Sequence, residues 1–503
     1  MSQQHSGAAD VPVAAPGLRS SCLSYSEVIA QSVSVIAPST VPAAVLGLVF
    51  ATAGNATWLS FVLGTLGLVL VSININQFAR RSASPGSLYS YIVQGLGPTA
   101  GVLGGWALLF GYTLTGMSTL CGFALIANVL LEHFLGFQLP IILLFALGVL
   151  AAFYIAFRDI QLSAKTMLVL EALALLSVLF LGAIIWSRAG FAVHAPQVRL
   201  EGFTPGATLG AVVLVIFAFS GFESSTALGD EAKNPLVTIP RSVLQSVILA
   251  GVFFITMSYI VVLGFDGIGR PLAEDEAPLH TLANAIGWGG LGTVIDVGIL
   301  LSFFSCTLAS INSTSRILYS MAQHGLIAGE LGHAHQQNRT PHVAVGIAAL
   351  LTFGVPAGVH AAGASAFDSQ GHFGTLCSFG FIAVYMLISA AAPAYLSSIG
   401  KLTWKARAYS LGAIAFMLLP LIGTIGIPGS ELFPTPDAAS LVLVAVFVAY
   451  MVAGYGWLLL RRVRRPKMLG HMQEAIEGVH VRFAKTIATA SSATPTTERP
   501  SQV

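Results

Sequence analysis

The stretch Phe217-Ala-Phe-Ser-Gly-Phe-Glu-Ser-Ser-Thr-Ala-Leu-Gly-Asp-Glu-Ala-Lys-Asn-Pro-Leu-Val-Thr-Ile-Pro-Arg241 is the most informative part of this chain of 503 residues. It begins inside an apolar run, is interrupted by Gly221, and carries a carboxylate, Glu223, before it ends in charged residues. A charge inside hydrocarbon costs roughly 2.5–3.5 kcal/mol on insertion scales, so such residues usually face a cavity. A helix interrupted beside such a charge leaves backbone groups free to bind a small molecule. The stretch therefore predicts a broken membrane helix with an acidic side chain at its centre.

The composition of the whole chain is that of a membrane protein. Hydrophobic residues make up 55% and charged residues only 9%, and the mean hydropathy is +0.81. Soluble domains carry about 25% charged residues. Apolar runs of about 20 residues, long enough to cross a bilayer as helices, recur along the chain. We predict twelve membrane helices, with approximate spans 27–52, 56–79, 100–130, 138–157, 165–187, 207–228, 242–264, 290–320, 342–361, 373–397, 408–427 and 438–460.

The basic residues are divided unequally between the two predicted membrane faces. With both termini on the cytoplasmic side, the opposite face holds only Arg188, Arg199 and Arg270. The cytoplasmic face then holds all of the following: Arg80, Arg81, Arg158, Lys165, Lys233, Arg241, Arg316, Arg339, Lys401, Lys405, Arg407, Arg461, Arg462, Arg464, Arg465 and Lys467. An excess of Lys and Arg marks the cytoplasmic face. We therefore predict cytoplasmic N- and C-termini in a multi-pass protein of the plasma (inner) membrane, and no nucleic-acid partner.

Composition also divides the chain into three regions. Residues 1–26 are polar and lack the pattern of a cleaved signal, so we expect a cytoplasmic N-terminal tail. Residues 27–460 form the transmembrane domain, and residues 461–503 form a cytoplasmic C-terminal tail. We expect this last region to be disordered, because its end is rich in Ser, Thr, Ala and Pro. The cysteines and histidines lack metal-ligand spacing, so we predict no metal site and no cofactor.

A second interruption is predicted in the first span. Pro38 and Pro42 each remove a backbone donor from the run Ser32-Val-Ser-Val-Ile-Ala-Pro-Ser-Thr-Val-Pro42. Two interrupted helices, five spans apart, are typical of inverted-repeat transporters with a binding site at the midplane. The alternative is that Pro38 only kinks the first helix.

Several motifs resemble those of one known family. They are Phe219-Ser-Gly-Phe-Glu223 with Glu231-Ala-Lys-Asn-Pro235 and Ile239-Pro-Arg241; Pro85-Gly-Ser-Leu-Tyr-Ser-Tyr91 with Gly104-Gly-Trp106; Ser315-Arg-Ile-Leu-Tyr-Ser-Met321; and Gly380 to Tyr385. In this order and spacing the chain resembles the amino acid–polyamine–organocation (APC) superfamily of permeases. The resemblance implies an all-α polytopic protein with a LeuT-type 5+5 inverted repeat, helices 1 and 6 broken at mid-membrane and helices 11 and 12 outside the repeat. It also implies secondary active transport of amino acids or related amines by alternating access, and no enzyme activity.

The resemblance also implies where substrate binds. In the family, the unwound part of helix 1 offers backbone N–H groups to the substrate carboxylate, and the matching residues are Ala37, Pro38, Ser39 and Thr40. The family segment is usually rich in glycine. Here Pro38 lacks one N–H, a loss that the hydroxyls of Ser39 and Thr40 would offset.

The matching residues of helix 6 complete the predicted site. Carbonyls freed around Ser220 and Gly221 would accept the substrate ammonium group, and Gly221 permits close approach to the backbone. Phe217 lies where family members often have an aromatic gate. Phe219 and Phe222 are the other candidates to shape the pocket, although aromatic residues in apolar helices often serve only in packing.

Apart from Glu27, the first residue of the first span, three acidic residues fall within the predicted spans: Glu171, Glu223 and Asp296. Glu223 matches the helix-6 glutamate of the family, and with Glu171 it is our candidate for proton coupling. Asp296 lies closer to a solvated helix start. The hydroxyls of helix 8 could bind Na⁺, but hydroxyls in membrane helices more often bond to their own backbone. Na⁺ is therefore the less favoured coupling ion.

The sequence leaves alternatives open for both the substrate and the class of protein. Neutral amino acids are slightly favoured over cationic amino acids, polyamines or other amines, and both symport and exchange are compatible with the sequence. A membrane sensor with the same fold and no transport activity is the remoter alternative.

Overall fold

The computed structural model describes residues 17–275, 277–430, 432–433, 435 and 438–492, and within these ranges the chain is built from helices. The α-helices are α1 (Tyr25–Ile36), α2 (Thr40–Ala44), α3 (Leu46–Ala53), α4 (Thr57–Ala79), α5 (Ser87–Leu96), α6 (Pro98–Leu135), α7 (Ile141–Arg158), α8 (Ile160–Arg188), α9 (Ala195–Val198), α10 (Pro205–Ala218), α11 (Pro235–Ile268), α12 (Pro278–Ala285), α13 (Gly289–Gln323), α14 (His342–Ala361), α15 (Ala366–Ser398), α16 (Trp404–Ile425), α17 (Ala438–Arg464) and α18 (Met468–Ser492). In these ranges the β-type pairing is an isolated bridge between Leu23 and Ala232.

Ten helical stretches in the described part of the chain are long and apolar enough to cross a membrane. This confirms the predicted class, an all-α polytopic membrane protein. The count of twelve spans and the 5+5 repeat stay predictions, because the first and sixth predicted spans are divided into shorter helices.

Both predicted interruptions are present. α1 ends at Ile36, Ala37 adopts a left-handed conformation with φ of 48°, and the helix resumes at Thr40. α10 ends at Ala218, and the chain is helical again only in a 3₁₀ turn over Ser224–Leu228. The sequence positions of the two breaks were therefore predicted correctly.

The core is formed where α6 packs along α13 and α15. Small residues permit close approach of these helices, as is usual in membrane bundles. A Cβ on Gly380 of α15 would lie only 2.6 Å from the backbone oxygen of Ala107 in α6, so only glycine fits there. These three helices surround the two interruptions and carry many of the side chains described below.

The C-terminal region differs from our expectation of disorder over part of its length. α18 (Met468–Ser492) is helical, and Met468, Met472 and Ile476 are buried at intervals of four residues. This spacing places the three side chains on one helix face, which packs against α5 and α6. Residues 493–503 and 1–16, which include part of both predicted tails, lie outside the described residues.

Candidate functional site

Gly221 is the point at which the two interrupted segments meet. Its φ of 86° lies in the left-handed region that favours glycine, and a Cβ there would overlap the side chain of Val35 in α1. Its N–H donates to Tyr385 Oη at 3.1 Å, and its carbonyl accepts from Ser224 N at 3.0 Å. Gly221 therefore brings the sixth-helix backbone against α1 and ties it to α15.

Glu223 is fully buried and is held by two tyrosines. Tyr112 Oη of α6 donates to Oε1 at 2.7 Å, and Tyr385 Oη of α15 donates to Oε2 at 2.5 Å. Tyr385 thus accepts from Gly221 and donates to Glu223 at the same time. Loss or gain of a proton at the Glu223 carboxyl would therefore reach the Gly221 backbone through the Tyr385 hydroxyl.

A cavity of about 90 Å³ lies beside the two interruptions. Its walls come from α1, α2, α6, α10, α13, α15 and the residues next to the two interruptions. The lining residues are Val35, Ile36, Ala37, Thr40, Val41, Ala44, Val45, Thr115, Ser118, Thr119, Phe217, Ala218, Ser220, Phe303, Cys306, Gln370, Gly374 and Cys377. None of these side chains carries a formal charge. The cavity is mainly aliphatic and aromatic, with a limited set of hydroxyls and one amide.

Four of the predicted substrate residues line this cavity: Ala37, Thr40, Phe217 and Ser220. The Ser220 hydroxyl is buried without a hydrogen-bond partner among the described residues, so it is free to bind a ligand. Thr40 Oγ1 instead donates to the Ala37 carbonyl at 2.8 Å.

The other predicted substrate residues lie outside the cavity lining. Pro38 and Ser39 belong to the helix-1 interruption, where the Ser39 hydroxyl is buried and also lacks a partner in the described structure. Phe219 packs edge-on against Phe254 with 4.9 Å between ring centres, and Phe222 packs against Tyr385 at 5.1 Å. Gly221 is the fifth of these residues, and its backbone contacts Tyr385 and Ser224.

A row of hydroxyls on α6 was not predicted from the sequence. Thr115, Ser118 and Thr119 line the cavity, and their spacing of three and four residues places them on one helix face. Ser118 Oγ donates to the Gln370 carbonyl at 2.8 Å, and Thr119 Oγ1 lies 2.9 Å from Thr307 Oγ1. That spacing in an otherwise apolar span is the signal that would have identified them.

Glu171 occupies a separate buried position. Ser302 Oγ of α13 lies 3.1 and 3.0 Å from its two carboxylate oxygens. Glu171 does not line the cavity. Its contact with Ser302 connects α8 to α13. Asp296, nearer the start of α13, pairs with His280 Nδ1 at 3.2 Å and lines a second cavity of about 440 Å³.

The segment before α1 is joined to the segment after the sixth-helix interruption by contacts that were not predicted from the sequence. Cys22 N and Leu23 N both donate to the Glu231 carbonyl, at 2.8 and 2.9 Å. The Glu231 side chain in turn is paired with Arg316 of α13. The segment before α1 is thereby attached to the segment that follows the sixth-helix interruption.

The fold and the site define a class of protein: a polytopic α-helical membrane protein with an uncharged cavity beside two helix interruptions. The amino acid permease family model matches residues 29–468, and the chain belongs to this family. This confirms the resemblance found in the sequence.

Characterised relatives are distant in sequence. The branched-chain amino acid permease BcaP of Bacillus subtilis is 26% identical over 58% of this chain and 65% of its own length. The BcaP protein of Lactococcus lactis is 27% identical over 57% of this chain and 65% of its own. The low-affinity putrescine importer PlaP of Escherichia coli is 25% identical over 58% and 66%. The match thus spans about two thirds or slightly less of each of these relatives.

Solved structures support the fold. One mutant of the manganese transporter of Eremococcus coleocola superposes with a TM-score of 0.54 at 14% identity, over 90% of this chain and 94% of that protein. A second mutant of the same transporter has a TM-score of 0.52 at 15% identity, over the same shares of the two chains. At this identity the likeness concerns the fold alone.

Proposed function

We propose that this protein is a secondary active transporter that moves neutral amino acids with aliphatic side chains across the plasma membrane by alternating access. In this proposal both termini are cytoplasmic, as the distribution of Lys and Arg predicts. The observation that carries the proposal is the uncharged, largely apolar lining of the cavity beside the interrupted helices.

The lining argues for a neutral side chain on the substrate. An amino acid brings a carboxylate and an ammonium group, which half-helix ends and freed backbone groups can satisfy. A cationic side chain would bring a further charge, and no lining residue carries the carboxylate to pair with it. Burying an unpaired charge is costly, so arginine-like substrates and polyamines are disfavoured. The relatives named as branched-chain amino acid permeases are consistent with this substrate class.

The interruptions provide the recognition groups in this proposal. The segment from Ala37 to Thr40 would bind the substrate carboxylate, with the unpaired hydroxyl of Ser39 replacing the donor that Pro38 lacks. The backbone at Ser220 and Gly221 would bind the ammonium group. Phe217 lines the cavity and is the proposed gate, while Phe219 and Phe222 support the site by packing.

We assign coupling to protons, in symport or exchange, through Glu223 and Glu171. Both are buried acids bound by hydroxyl donors rather than by a counter-charge. Sodium is less favoured because two hydroxyls of α13 donate to protein atoms, Ser305 to Ser34 Oγ at 2.9 Å and Thr307 to the Phe303 carbonyl at 3.0 Å. Among the described residues, Ser310 Oγ on the same helix is buried without a hydrogen-bond partner.

A polyamine or cationic amino acid transporter is the second candidate. It is favoured by Pro38, because a helix-1 segment with one N–H fewer is less specific for a carboxylate. It is also favoured by relatives named as a putrescine importer and as cationic amino acid transporters.

Uptake into proteoliposomes separates these functions. We expect saturable accumulation of labelled leucine, isoleucine or valine that is driven by an inward proton gradient or by preloaded amino acid. Accumulation of putrescine or arginine instead would favour the second candidate. No flux of any amino acid or amine, by protein that still binds one of them in a thermal-shift assay, would indicate the non-transporting sensor.

A further inference from the structure

The basic run at the end of the last membrane-spanning helix has no place in the proposed transport cycle. It comprises Arg461, Arg462, Arg464, Arg465 and Lys467. The Arg461 guanidinium lies 5.6 Å from the centre of the Trp457 ring. The structure gives the side chains of the other four neither an ion pair nor a hydrogen bond within its described ranges. Their charge is therefore not neutralised by the protein.

The turn between α17 and α18 lines an open cavity of about 400 Å³. Its lining combines Arg465, Lys467 and His471 from this turn with His324 from the end of α13. The remaining lining residues are Gly325, Pro466 and Met468, so no acidic side chain contributes to it. An anionic group is the ligand that this set of donors suits.

His324 adds a neutral donor to the cationic side chains. Burial lowers the pKa of His324 to about 4, so the imidazole is uncharged at pH 7. Its Nδ1 lies 3.0 Å from Tyr89 Oη. When Nδ1 accepts the tyrosine proton, the ring proton is on Nε2, which then serves as a hydrogen-bond donor.

The turn lies between two helices, directly after an apolar span. The apolar span ends at Arg464, and α18 begins shortly after the span, at Met468. Met468, Met472 and Ile476 anchor α18 in the core against α5 and α6. Because the apolar span ends at this turn, we expect the cavity to lie at the level of the lipid headgroups. The packing of α18 fixes the backbone that carries Arg465 and Lys467.

We propose that this cavity binds the phosphate of an anionic phospholipid headgroup. Guanidinium and ammonium groups bind phosphate oxygens through charge-assisted hydrogen bonds, and Arg does so at two points. Unpaired basic residues immediately next to a membrane span are attracted to anionic lipids of the cytoplasmic leaflet. The cavity is next to α18, which packs against α5 and α6, and α6 also carries lining residues of the substrate cavity.

The test uses the full-length protein in neutral detergent, titrated with phosphatidylglycerol while the melting temperature is followed. We expect a saturable rise in melting temperature for the wild type. The double variant R465Q/K467Q should need at least about tenfold more lipid for half of the effect. The matched control K405Q/R407Q removes two exposed cations from the start of α16 and should titrate as the wild type does. If the double variant does not fold, the single change Lys467→Gln at an exposed position replaces it.

Three outcomes would overturn the proposal. Equal weakening in both double variants would mean that only overall surface charge matters. An equal melting-temperature rise with phosphatidylcholine would mean that the effect comes from the acyl chains. If inorganic phosphate alone reproduced the stabilisation and prevented a further rise with phosphatidylglycerol, the cavity would be a site for free phosphate rather than for a lipid.

Discussion

Arg316 and Glu231 form a two-point ion pair, with Nε 2.7 Å from Oε2 and Nη2 2.9 Å from Oε1. Their side chains are only 1% and 0% exposed. Arg316 also donates to the Asn312 carbonyl at 3.1 Å. The pair fastens the segment after the sixth-helix interruption to α13, next to the backbone pairing of that segment with Leu23. Removal of one partner from a buried ion pair leaves the other charge buried without compensation, which destabilises the folded protein.

Glu231→Gln should therefore destabilise the protein strongly. It leaves the Arg316 charge buried without a counter-charge, which costs about 3–5 kcal/mol. The melting temperature in detergent measures the effect, and the double variant E231Q/R316Q should recover part of the loss. The control is Asp159→Asn, which breaks the half-exposed pair with Arg19 but retains a side chain able to cap α8 at Gln161. We expect about 0–1 kcal/mol there. Similar losses from E231Q and D159N would contradict the special role of the buried pair.

The sequence predicted the positions of the helix breaks because their causes are local. Pro38 removes a backbone donor, and Gly221 stands beside a carboxylate in an apolar run. The partners of that carboxylate were not predicted. Tyr112 lies in the middle of α6, a helix of 38 residues, and its contact with Glu223 depends on how α6 is rotated and shifted against α10 and α15. Local sequence does not determine those quantities.

The same limit applies to the candidate substrate residues. Between Phe217 and Phe222 the helix ends, so neighbouring side chains no longer follow a regular period. Phe217 and Ser220 point into the cavity while Phe219 packs against Phe254. In regular α6, by contrast, helical periodicity is sufficient to group Thr115, Ser118 and Thr119 on one face.

Gly221→Ala should abolish or nearly abolish transport. A methyl group would overlap Val35, and the left-handed φ of 86° adds strain for a residue with a Cβ. We expect uptake in proteoliposomes to fall at least about tenfold, with a lower melting temperature. The control is Gly346→Ala in α14, where a Cβ meets no atom within 4 Å. Unchanged uptake by G221A would show that the two interruptions need not touch at this point.

Substrate should protect two native cysteines from alkylation. Cys306 and Cys377 line the candidate cavity, whereas Cys22 and Cys121 do not. Labelling by N-ethylmaleimide, followed by mass spectrometry of peptides, should slow at Cys306 and Cys377 by about threefold or more with saturating substrate. Cys22 and Cys121 are internal controls in the same sample. Equal protection at all four would indicate a global effect on stability instead of occupancy of the cavity.

Acid should destabilise the protein through His324. Burial lowers its pKa from 6.5 to about 4, so the unfolded chain binds more protons than the folded chain between these values. Stability is therefore complete above about pH 6.5 and falls as pH decreases towards 4. His324→Asn keeps an acceptor for Tyr89 and removes the titration, so its melting temperature should decline less over this range, by an amount equivalent to about 1–3 kcal/mol. The exposed His372→Asn is the control, and parallel curves for H324N and the wild type would refute the assignment.

Glu223→Gln should flatten the pH dependence of uptake. Glutamine has nearly the same shape as glutamate and can accept from Tyr112 or Tyr385, but it cannot bind and release a proton. If Glu223 carries the coupled proton, E223Q should lose accumulation driven by a proton gradient while it keeps exchange of external for internal substrate.

Tyr385→Phe tests the link between Glu223 and the helix interruption, since it removes the hydroxyl that joins Glu223 to the Gly221 backbone but leaves the carboxyl able to titrate. We expect Y385F to lower the rate at all pH values, whereas its uptake should still depend on pH because the carboxyl is retained. Glu171→Gln is the matched acid on α8 and identifies which of the two buried carboxyls transfers the proton. An unchanged pH profile in E223Q, together with a flat one in E171Q, would move the coupling role to Glu171.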